Sequence, residues 1–343
     1  MSSQKTEVNV LLSGEQGFVY QNLRYQLQEA PGLGLVTSAA SEEPAPEFVV
    51  YVFDDLESRG SGECRLPHEE KTSAIARYLD AGSRVVLLMN RESDVSMVGS
   101  PNMELCRIPQ VFGKWSTTAP ANPVGYLCSL VIDGQEAMYD QQADMELLYV
   151  DDLAKAVIDG IVSGELARCG KTAPYRITGR ELVALLVRFR ESRDNLVIPP
   201  VGSGLFRALY ATYISYLDKA DFSYPLINHS DERGNFIEIL KTESHGQISC
   251  LTAGPGVTRG QHYHHSKSEK FLVVKGKARF CFRNLLTDEY HELTVTGSKP
   301  EIVETIPGWV HNITNISDEE MIVILWANEI FNPDCPDTNP GKI

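Results

Sequence analysis

The chain has 343 residues, of which 43% are hydrophobic and 22% charged, and this length is sufficient for two modest globular domains. The formal net charge of −15 disfavours binding to nucleic-acid phosphates and to anionic membrane surfaces. No apolar run approaches the length of a membrane span, and the first residues lack the apolar centre of a signal peptide. The seven cysteines are scattered, which is typical of a reducing compartment, so we predict a cytoplasmic protein.

The first two thirds of the chain alternate between strand-like and helix-like patterns. Val8–Leu12 is an apolar run, and a turn with two glycines separates it from a helical stretch that ends near Gln28. Further strands are predicted at Phe48–Phe53 and Arg84–Met89, and further helices at Lys71–Ala81, Asp152–Ile161 and Glu181–Arg190. Such alternation is typical of a parallel sheet covered by helices, so we predict an α/β domain over residues 1–220.

The last third has a different pattern. After a predicted linker at Asp221–Pro225, short β-type runs follow one another and are separated by glycines and turn residues. These runs are Phe236–Leu240, Gln247–Leu251, Lys270–Val274, Ala278–Phe282, His291–Val295, Glu301–Thr305 and Met321–Trp326. Many short strands without helices indicate a sandwich or barrel, so we predict an all-β domain over residues 221–343.

Seven of the eight histidines lie in this second domain, and some of them have the spacing of a metal site. Gly256–Gly276 matches G-x5-H-x-H-x4-E-x6-G and Gly308–Asn315 matches G-x2-H-x3-N, and both are similar to the cupin motif, which implies a cupin β-barrel. Because residues two apart on a strand share a face, His262 and His264 are expected to point the same way and His265 away. The predicted ligands are His262, His264, Glu269 and His311.

Three imidazoles and a carboxylate suit zinc, iron, nickel or manganese. The alternative interpretation is that these histidines are surface or hydrogen-bonded strand residues without a metal.

The segment around this cluster resembles a sugar-modifying enzyme. His229–Glu238 is similar to the D-x-R-G-x-F-x-E segment of dTDP-4-dehydrorhamnose 3,5-epimerases, and Arg259–Tyr263 to their R-G-L-H-[YF] segment. The resemblance implies that His262 is a base that removes a proton beside a ketone. The substrate-binding residues that it implies are Arg233, Phe236, Glu238 and Arg259. The alternative is a structural ion pair between Arg233 and Glu238 at the rim of the barrel.

His262 cannot bind a metal and act as a free base through the same inward nitrogen. If it is a metal ligand, the base is another group or a displaced ligand, with His264, His265 and Lys270 as alternatives. We therefore predict His262 and Lys270 as the catalytic residues.

The N-terminal domain resembles the extended short-chain dehydrogenase/reductases (SDRs). The turn after the first strand is similar to their T-G-x-x-G-F-V-G-x-N-L segment, in which Gly14 and Gly17 would bind a dinucleotide such as NADP, but Tyr20 replaces the third glycine. Arg107–Trp115 and Leu148–Asp152 are similar to two later SDR segments.

The reductase machinery of an SDR is not found in this sequence. The Tyr-x-x-x-Lys pair that SDRs use occurs once, as Tyr263 and Lys267, inside the histidine motif, where it is a false match. Seventeen residues between Met89 and Arg107 are too few for the usual catalytic helix and its loops. We predict a degenerate, redox-inactive Rossmann-like domain.

In its order of motifs the chain resembles the CapF family of bifunctional capsular-polysaccharide enzymes, which join an SDR domain to a C-terminal cupin. The resemblance implies a zinc-containing homodimer whose cupin epimerises C3 of a UDP-linked 2-acetamido-2,6-dideoxy-4-ketohexose. We predict this epimerase activity. The alternatives are a nucleotide-sugar-binding or partner protein without turnover, and a complete epimerase and NADPH-dependent C4-reductase. The segment Arg233–Glu238 is the predicted site of strand exchange in the dimer. Arg233 would then contribute a substrate contact to the barrel of the neighbouring subunit.

Overall fold

The computed structural model describes residues 7–36, 45–53, 68–93, 99–135 and 143–343, which divide into two compact units. The first unit contains the chain up to Val187 together with Val201–Asp218, and the second contains Arg188–Pro200 together with Lys219–Ile343. The segment Arg188–Pro200 belongs to the second unit because the N–H of Ile198 donates to the carbonyl of Lys241 at 2.9 Å. A single boundary at residue 220 did not include this segment, since nothing in its composition marks it.

The first unit contains a parallel sheet with the strand order β2-β1-β3-β4-β5. Its strands are β1 (Val8–Gly14), β2 (Leu33–Val36), β3 (Phe48–Val52), β4 (Arg84–Asn90) and β5 (Met103–Ile108). All residues of β3 and the five central residues of β4 are buried. This is the pattern of parallel strands covered on both faces, and it made these two strands predictable as continuous apolar runs.

Helices directly follow β1 and β3, and further helices lie later in the chain. They are α1 (Phe18–Glu29), α2 (His68–Asp80), α3 (Pro123–Ile132), α4 (Val150–Ser163), α5 (Gly179–Asn195) and α6 (Gly204–Ile214). A smaller sheet contains β6 (Gln110–Phe112), β7 (Asp144–Tyr149) and β8 (Tyr175–Thr178). The four predicted helices lie within α1, α2, α4 and α5, apart from Ala81, which follows the end of α2. Among the described residues, no helix combines the length and the apolar character that a membrane span requires.

The connection from β4 to β5 is short. The two strands are parallel neighbours, with Val85 opposite Met103 and Asn90 opposite Ile108. In the described part of the connection, residues 91–93 and 99–102, there is no helix.

The second unit contains two antiparallel sheets. The six-stranded sheet has the order β16-β13-β18-β11-β10-β9, and the five-stranded sheet has the order β15-β14-β17-β12-β19. The strands are β9 (Asn228–Asp231), β10 (Gly234–Thr242), β11 (Gly246–Ala253), β12 (Thr258–Tyr263), β13 (Glu269–Lys275), β14 (Lys277–Asn284), β15 (Tyr290–Thr296), β16 (Ile302–Glu304), β17 (Trp309–Asn315), β18 (Met321–Ala327) and β19 (Asn339–Pro340).

The two sheets share one apolar core. Phe271 of β13 and Phe280 of β14 meet edge to face with their ring centroids 5.6 Å apart, and Leu325 and Ile313 are buried in the same cluster. All seven predicted short strands are present. β17 was not among the predicted strands. Its buried positions include polar residues such as Asn312, so its sequence lacks the alternation of apolar and polar residues that indicates a strand.

Candidate metal and substrate site

Four side chains from both sheets of the second unit converge at one point. His262 lies on β12 directly opposite His311 of β17, and Glu269 is the first residue of β13 in the other sheet. The ring centroid of His262 lies 4.9 Å from that of His264 and 4.6 Å from that of His311. The ligand atoms of the four residues all lie within 4.8 Å of one another, so the predicted ligands are brought together.

The tautomers of two imidazoles suit a cation at the centre of this cluster. The Nδ1–H of His264 can donate to the carbonyl of Asp337, and that of His311 to the carbonyl of Trp309 at 3.4 Å. Both Nε2 atoms then carry lone pairs toward Glu269, whose Oε2 lies 3.2 Å from the Nε2 of His264. The buried Nε2 of His311 has no hydrogen-bond partner in the described part of the chain. Inward lone pairs beside a carboxylate fit a divalent metal ion.

The route by which His264 reaches the cluster differs from the prediction. β12 ends at Tyr263, and its pairing with β17 shifts register between Gly260 and His262, where Gln261 has a φ of 70°. His264 therefore follows the strand instead of sharing one of its faces with His262. His265 does point away: it is exposed, and its ring contacts that of Tyr263.

The electrostatics of the cluster depend on burial. Burial and the neighbouring His311 lower the pKa of His262 to about 4. Burial opposes ionisation of Glu269, but in the metal-free site its contacts with the ring nitrogens of His264 and His311 and the charge of Lys267 outweigh it and hold the pKa of this carboxyl well below its usual range. The Nζ of Lys267 lies 3.2 Å from Oε1 of Glu269. At neutral pH the site thus contains a carboxylate and a neutral His262.

A cavity of about 430 Å³ opens beside the cluster. One part of its wall is apolar, with Phe236, Leu251, Phe271, Phe280, Ile313 and Leu325, and the remainder includes the polar side chains of Arg233, Glu238, Gln247, Arg259 and Lys267. All four predicted substrate-binding residues therefore line this cavity together with three of the four cluster residues. A pocket of this kind, mostly apolar with a few polar groups, is typical of a small-molecule site.

The charged residues at the rim have partners that the sequence did not indicate. Arg233 forms a salt bridge with Asp231, and the carboxylate of Glu238 lies 2.8 Å from the Nζ of Lys241. The alternative of an ion pair between Arg233 and Glu238 is therefore wrong. Nη1 of Arg259 donates to the carbonyls of Asn235 and Thr252 at 3.1 Å each. Arg233 lines the cavity of its own chain.

Lys270 does not reach the cavity, and this corrects its prediction as a catalytic residue. Successive side chains on β13 alternate between the two faces of the sheet, with Glu269 and Phe271 buried and Lys270 exposed. The ammonium of Lys270 pairs with Glu304 on the outer face. Lys267 occupies the inner position instead, and its place between the second histidine and the glutamate of the motif was the available signal.

The glycine turn of the first unit lies where the sequence predicted it. Gly14 ends β1 with a φ of 106°, and a Cβ at this position would meet the carbonyl oxygen of Val52 at 2.1 Å. Gly17 is the residue before α1. Tyr20, in place of the third glycine, is buried in the first turn of that helix. The N-terminus of α1 therefore follows a turn of the kind that can receive a phosphate, and the sequence of this domain contains no Tyr-x-x-x-Lys pair.

The two later SDR-like segments meet in the structure. Nζ of Lys114 lies 2.6 Å from the carboxylate of Asp151, which also accepts from Gln26 of α1 at 2.7 Å. The carbonyl of Lys114 accepts a hydrogen bond from Asn22 at 3.2 Å. These motif residues therefore join α1 to α4 and to the connection between β6 and α3, which is a structural role.

The fold and the site place the chain among proteins of polysaccharide biosynthesis. Residues 229–339 match the family model described as the polysaccharide biosynthesis C-terminal domain. In an alignment of 366 residues the chain is 39% identical to the UDP-2-acetamido-2,6-beta-L-arabino-hexul-4-ose reductase of Pseudomonas aeruginosa, over 96% of this chain and 98% of that protein. A shorter match, 26% identical over 33% of this chain, is with the spore coat polysaccharide biosynthesis protein SpsL of Bacillus subtilis.

Among solved structures, the chain is similar to the capsular polysaccharide assembling protein CapF of Staphylococcus aureus. The TM-score is 0.83 at 29% identity, over 98% of this chain and 100% of that one. The chain belongs to the CapF family.

Proposed function

We propose that this protein is a cytoplasmic nucleotide-sugar C3-epimerase whose substrate is a UDP-linked 4-keto-6-deoxy-2-acetamidohexose. The observation that carries the proposal is the cavity of the second unit, which joins two arginines at its rim to the histidine–carboxylate cluster in its wall. The name of the Pseudomonas aeruginosa relative, a reductase of a UDP-linked 4-keto sugar, supports the substrate class.

We assign the residues at the rim and along the apolar wall to substrate binding, and the region of the histidine–carboxylate cluster to proton transfer. Arg233 and Arg259 are suited to the diphosphate, because guanidinium groups donate charge-assisted hydrogen bonds to phosphate oxygens. Phe236 and the apolar wall are suited to the face of the sugar ring, and Glu238 to its hydroxyl groups. With the diphosphate at the rim, the reacting carbons of the sugar lie toward the histidines. The 4-ketone acidifies the proton at C3. A base on one face of the sugar removes this proton to give an enolate, and protonation of C3 from the opposite face completes the inversion.

A divalent metal, for which zinc is our proposal, would be held by His262, His264, Glu269 and His311. When bound, it would supply positive charge that stabilises the enolate oxygen formed from the C4 ketone. In this arrangement His262 serves as a ligand, and the base is another group or a ligand that has left the metal. The opposite assignment, with His262 as the free base, is the alternative, and the metal content of a His262→Ala variant separates the two.

Exchange of the C3 proton tests the proposed reaction directly. The metal-loaded protein is incubated with the UDP-linked 4-ketohexose in deuterated water, and we expect deuterium at C3. Lys270→Gln serves as a control that retains exchange, since Lys270 faces away from the cavity. A folded, metal-loaded protein that incorporates no deuterium would contradict the proposal. Tight UDP-sugar binding without exchange would then favour a binding or partner protein.

For the first unit we propose a role without redox chemistry. The missing Tyr-x-x-x-Lys pair and the short β4–β5 connection support it. The competing candidate is a bifunctional epimerase and C4-reductase, which is favoured by the name of the relative that matches this chain over nearly its full length. Titration with NADPH, followed by its fluorescence, separates the two candidates. We expect no binding at millimolar cofactor, and saturable binding followed by oxidation in the presence of a 4-keto sugar would establish the reductase instead.

We also propose that the protein is a homodimer that pairs along β9. This strand is at the edge of the six-stranded sheet, its four residues are all exposed, and Phe222 and Ile227 just before it are 76% and 72% exposed. Edge strands with exposed apolar neighbours favour association. Light scattering should give about twice the monomer mass of 38.1 kDa at micromolar concentrations, and a mass that stays at the monomer value would contradict the dimer.

A further inference from the structure

Asp337 contacts the metal-ligand segment from a distant part of the sequence. Its carboxylate accepts hydrogen bonds from the backbone N–H groups of His265, Ser266 and Lys267 at 2.8, 2.7 and 2.8 Å. The hydroxyl of Ser266 also donates to it at 3.1 Å. The turn between β12 and β13 is therefore held by one carboxylate, which satisfies three consecutive backbone donors.

The backbone of the same residue determines the tautomer of a proposed ligand. The carbonyl of Asp337 faces the Nδ1 of His264, whose side chain is 1% exposed. A carbonyl can only accept, so this contact requires the proton on Nδ1 and leaves the lone pair of Nε2 toward the cluster. A residue that fixes both the turn and the ring beside it controls where Nε2 lies.

The effect of Asp337 extends to a second ligand. The turn that it holds carries Lys267, whose ammonium lies 3.2 Å from Oε1 of Glu269. The C-terminal segment continues beyond Asp337 as β19, which pairs with β12 beside His262. This segment thus contacts His264 directly, pairs with β12 beside His262, and is connected to Glu269 through Lys267.

We propose that Asp337 is a positioning residue of the metal site, which holds the turn 265–267 and orients His264 for coordination. The inference rests on the proposed metal site. It does not rest on the epimerase reaction, so its test uses metal binding and not turnover.

The decisive variant is Asp337→Asn in the full-length protein, with Co²⁺ as the probe. Asparagine keeps the size of the side chain but replaces one acceptor oxygen with a donor that faces backbone N–H groups. We expect Co²⁺ affinity, measured by competition with a chelator, to fall by about 10- to 100-fold, the usual effect of losing an outer partner of a ligand. We also expect the visible Co²⁺ spectrum to change, because it reports the ligand geometry. Asp337→Glu, which restores the charge, should recover part of the affinity.

Asp334→Asn is the matched control, because Asp334 is an exposed residue of the same segment and should leave affinity and spectrum unchanged. If Asp337→Asn does not fold, Co²⁺ affinity and the visible Co²⁺ spectrum of Asp337→Glu test the proposal instead. We expect an altered spectrum, because the longer side chain displaces the turn. Unchanged affinity and spectrum in the folded Asp337 variants would overturn the proposal. So would wild-type protein that binds no Co²⁺. A protein that binds Co²⁺ in this Asp337-dependent way but shows no C3 exchange would refute the proposed reaction and support this inference.

Discussion

The ammonium of Lys267 lies 3.2 Å from Oε1 of Glu269, and both side chains are less than a tenth exposed. This buried pair leaves Glu269 with a counter-charge even without a metal. Lys270, three residues after Lys267, forms a surface pair with Glu304, and both of these side chains are about half exposed. The two lysines therefore provide a comparison between a buried and an exposed ion pair in one segment.

Lys267→Met should destabilise the metal-free protein by about 3 kcal/mol, because it removes the cationic partner of a buried carboxylate. Urea unfolding in the presence of a chelator measures this loss. With saturating Zn²⁺ the loss should be smaller, since the metal would compensate Glu269. Lys270→Met should change the free energy of unfolding by less than about 1 kcal/mol, as is usual for exposed pairs. Equal effects of the two substitutions would contradict this account of the pair.

How much of this site the sequence could predict depends on how local each signal is. The spacing of His262, His264 and Glu269 is a local pattern, and the spacing alone was enough to identify these residues. The error over Lys270 was avoidable, because an inward Glu269 at the start of a strand requires an outward next residue. Asp337 could not be found in this way, since 72 residues separate it from His265 and no periodicity connects them.

The fold shows the same limit. β3 and β4 are continuous apolar runs and were predictable, whereas β2, with the sequence LGLV, is short and was missed. The return of residues 188–200 to the second unit depends on backbone hydrogen bonds with Lys241, which side-chain patterns do not encode.

The pH dependence of stability should report the burial of His262. Its pKa of about 4 in the folded protein lies below the usual value of about 6.5, so between these values the unfolded chain binds more protons. The stabilising contribution of the neutral ring is therefore complete above about pH 6.5 and is lost as the pH falls toward 4. For metal-free protein we expect a loss on the order of 2–3 kcal/mol over this range. His262→Gln should flatten the profile, and an NMR titration midpoint of His262 near 6.5 would contradict the prediction.

Binding of the nucleotide should depend on Arg259 more than on other arginines of the same sheet. Burial and the nearby Arg233 lower the pKa of Arg259, which indicates two cationic groups close together at the rim of the cavity. An anionic diphosphate would relieve their repulsion. Arg259→Lys should weaken UDP binding by at least about tenfold in calorimetry, because lysine cannot reproduce the guanidinium geometry. Arg279→Lys, an exposed position on β14, should bind UDP as the wild type does. Equal affinities of the two variants would remove Arg259 from the substrate site.

His262→Ala distinguishes the two roles assigned to this histidine. Both roles predict that C3 exchange is abolished, so metal content and thermal stability must be measured on the same sample. If His262 is a ligand, the variant should lose metal and should melt at a lower temperature than metal-loaded wild type, because a metal that binds only the folded state stabilises it. If it is the base, both should stay near wild type while exchange falls by about two to four orders of magnitude. We expect the ligand result, since His262 lies opposite His311 with all four ligand atoms within 4.8 Å. Full metal occupancy in the variant would overturn that assignment, and full exchange would exclude His262 from the mechanism.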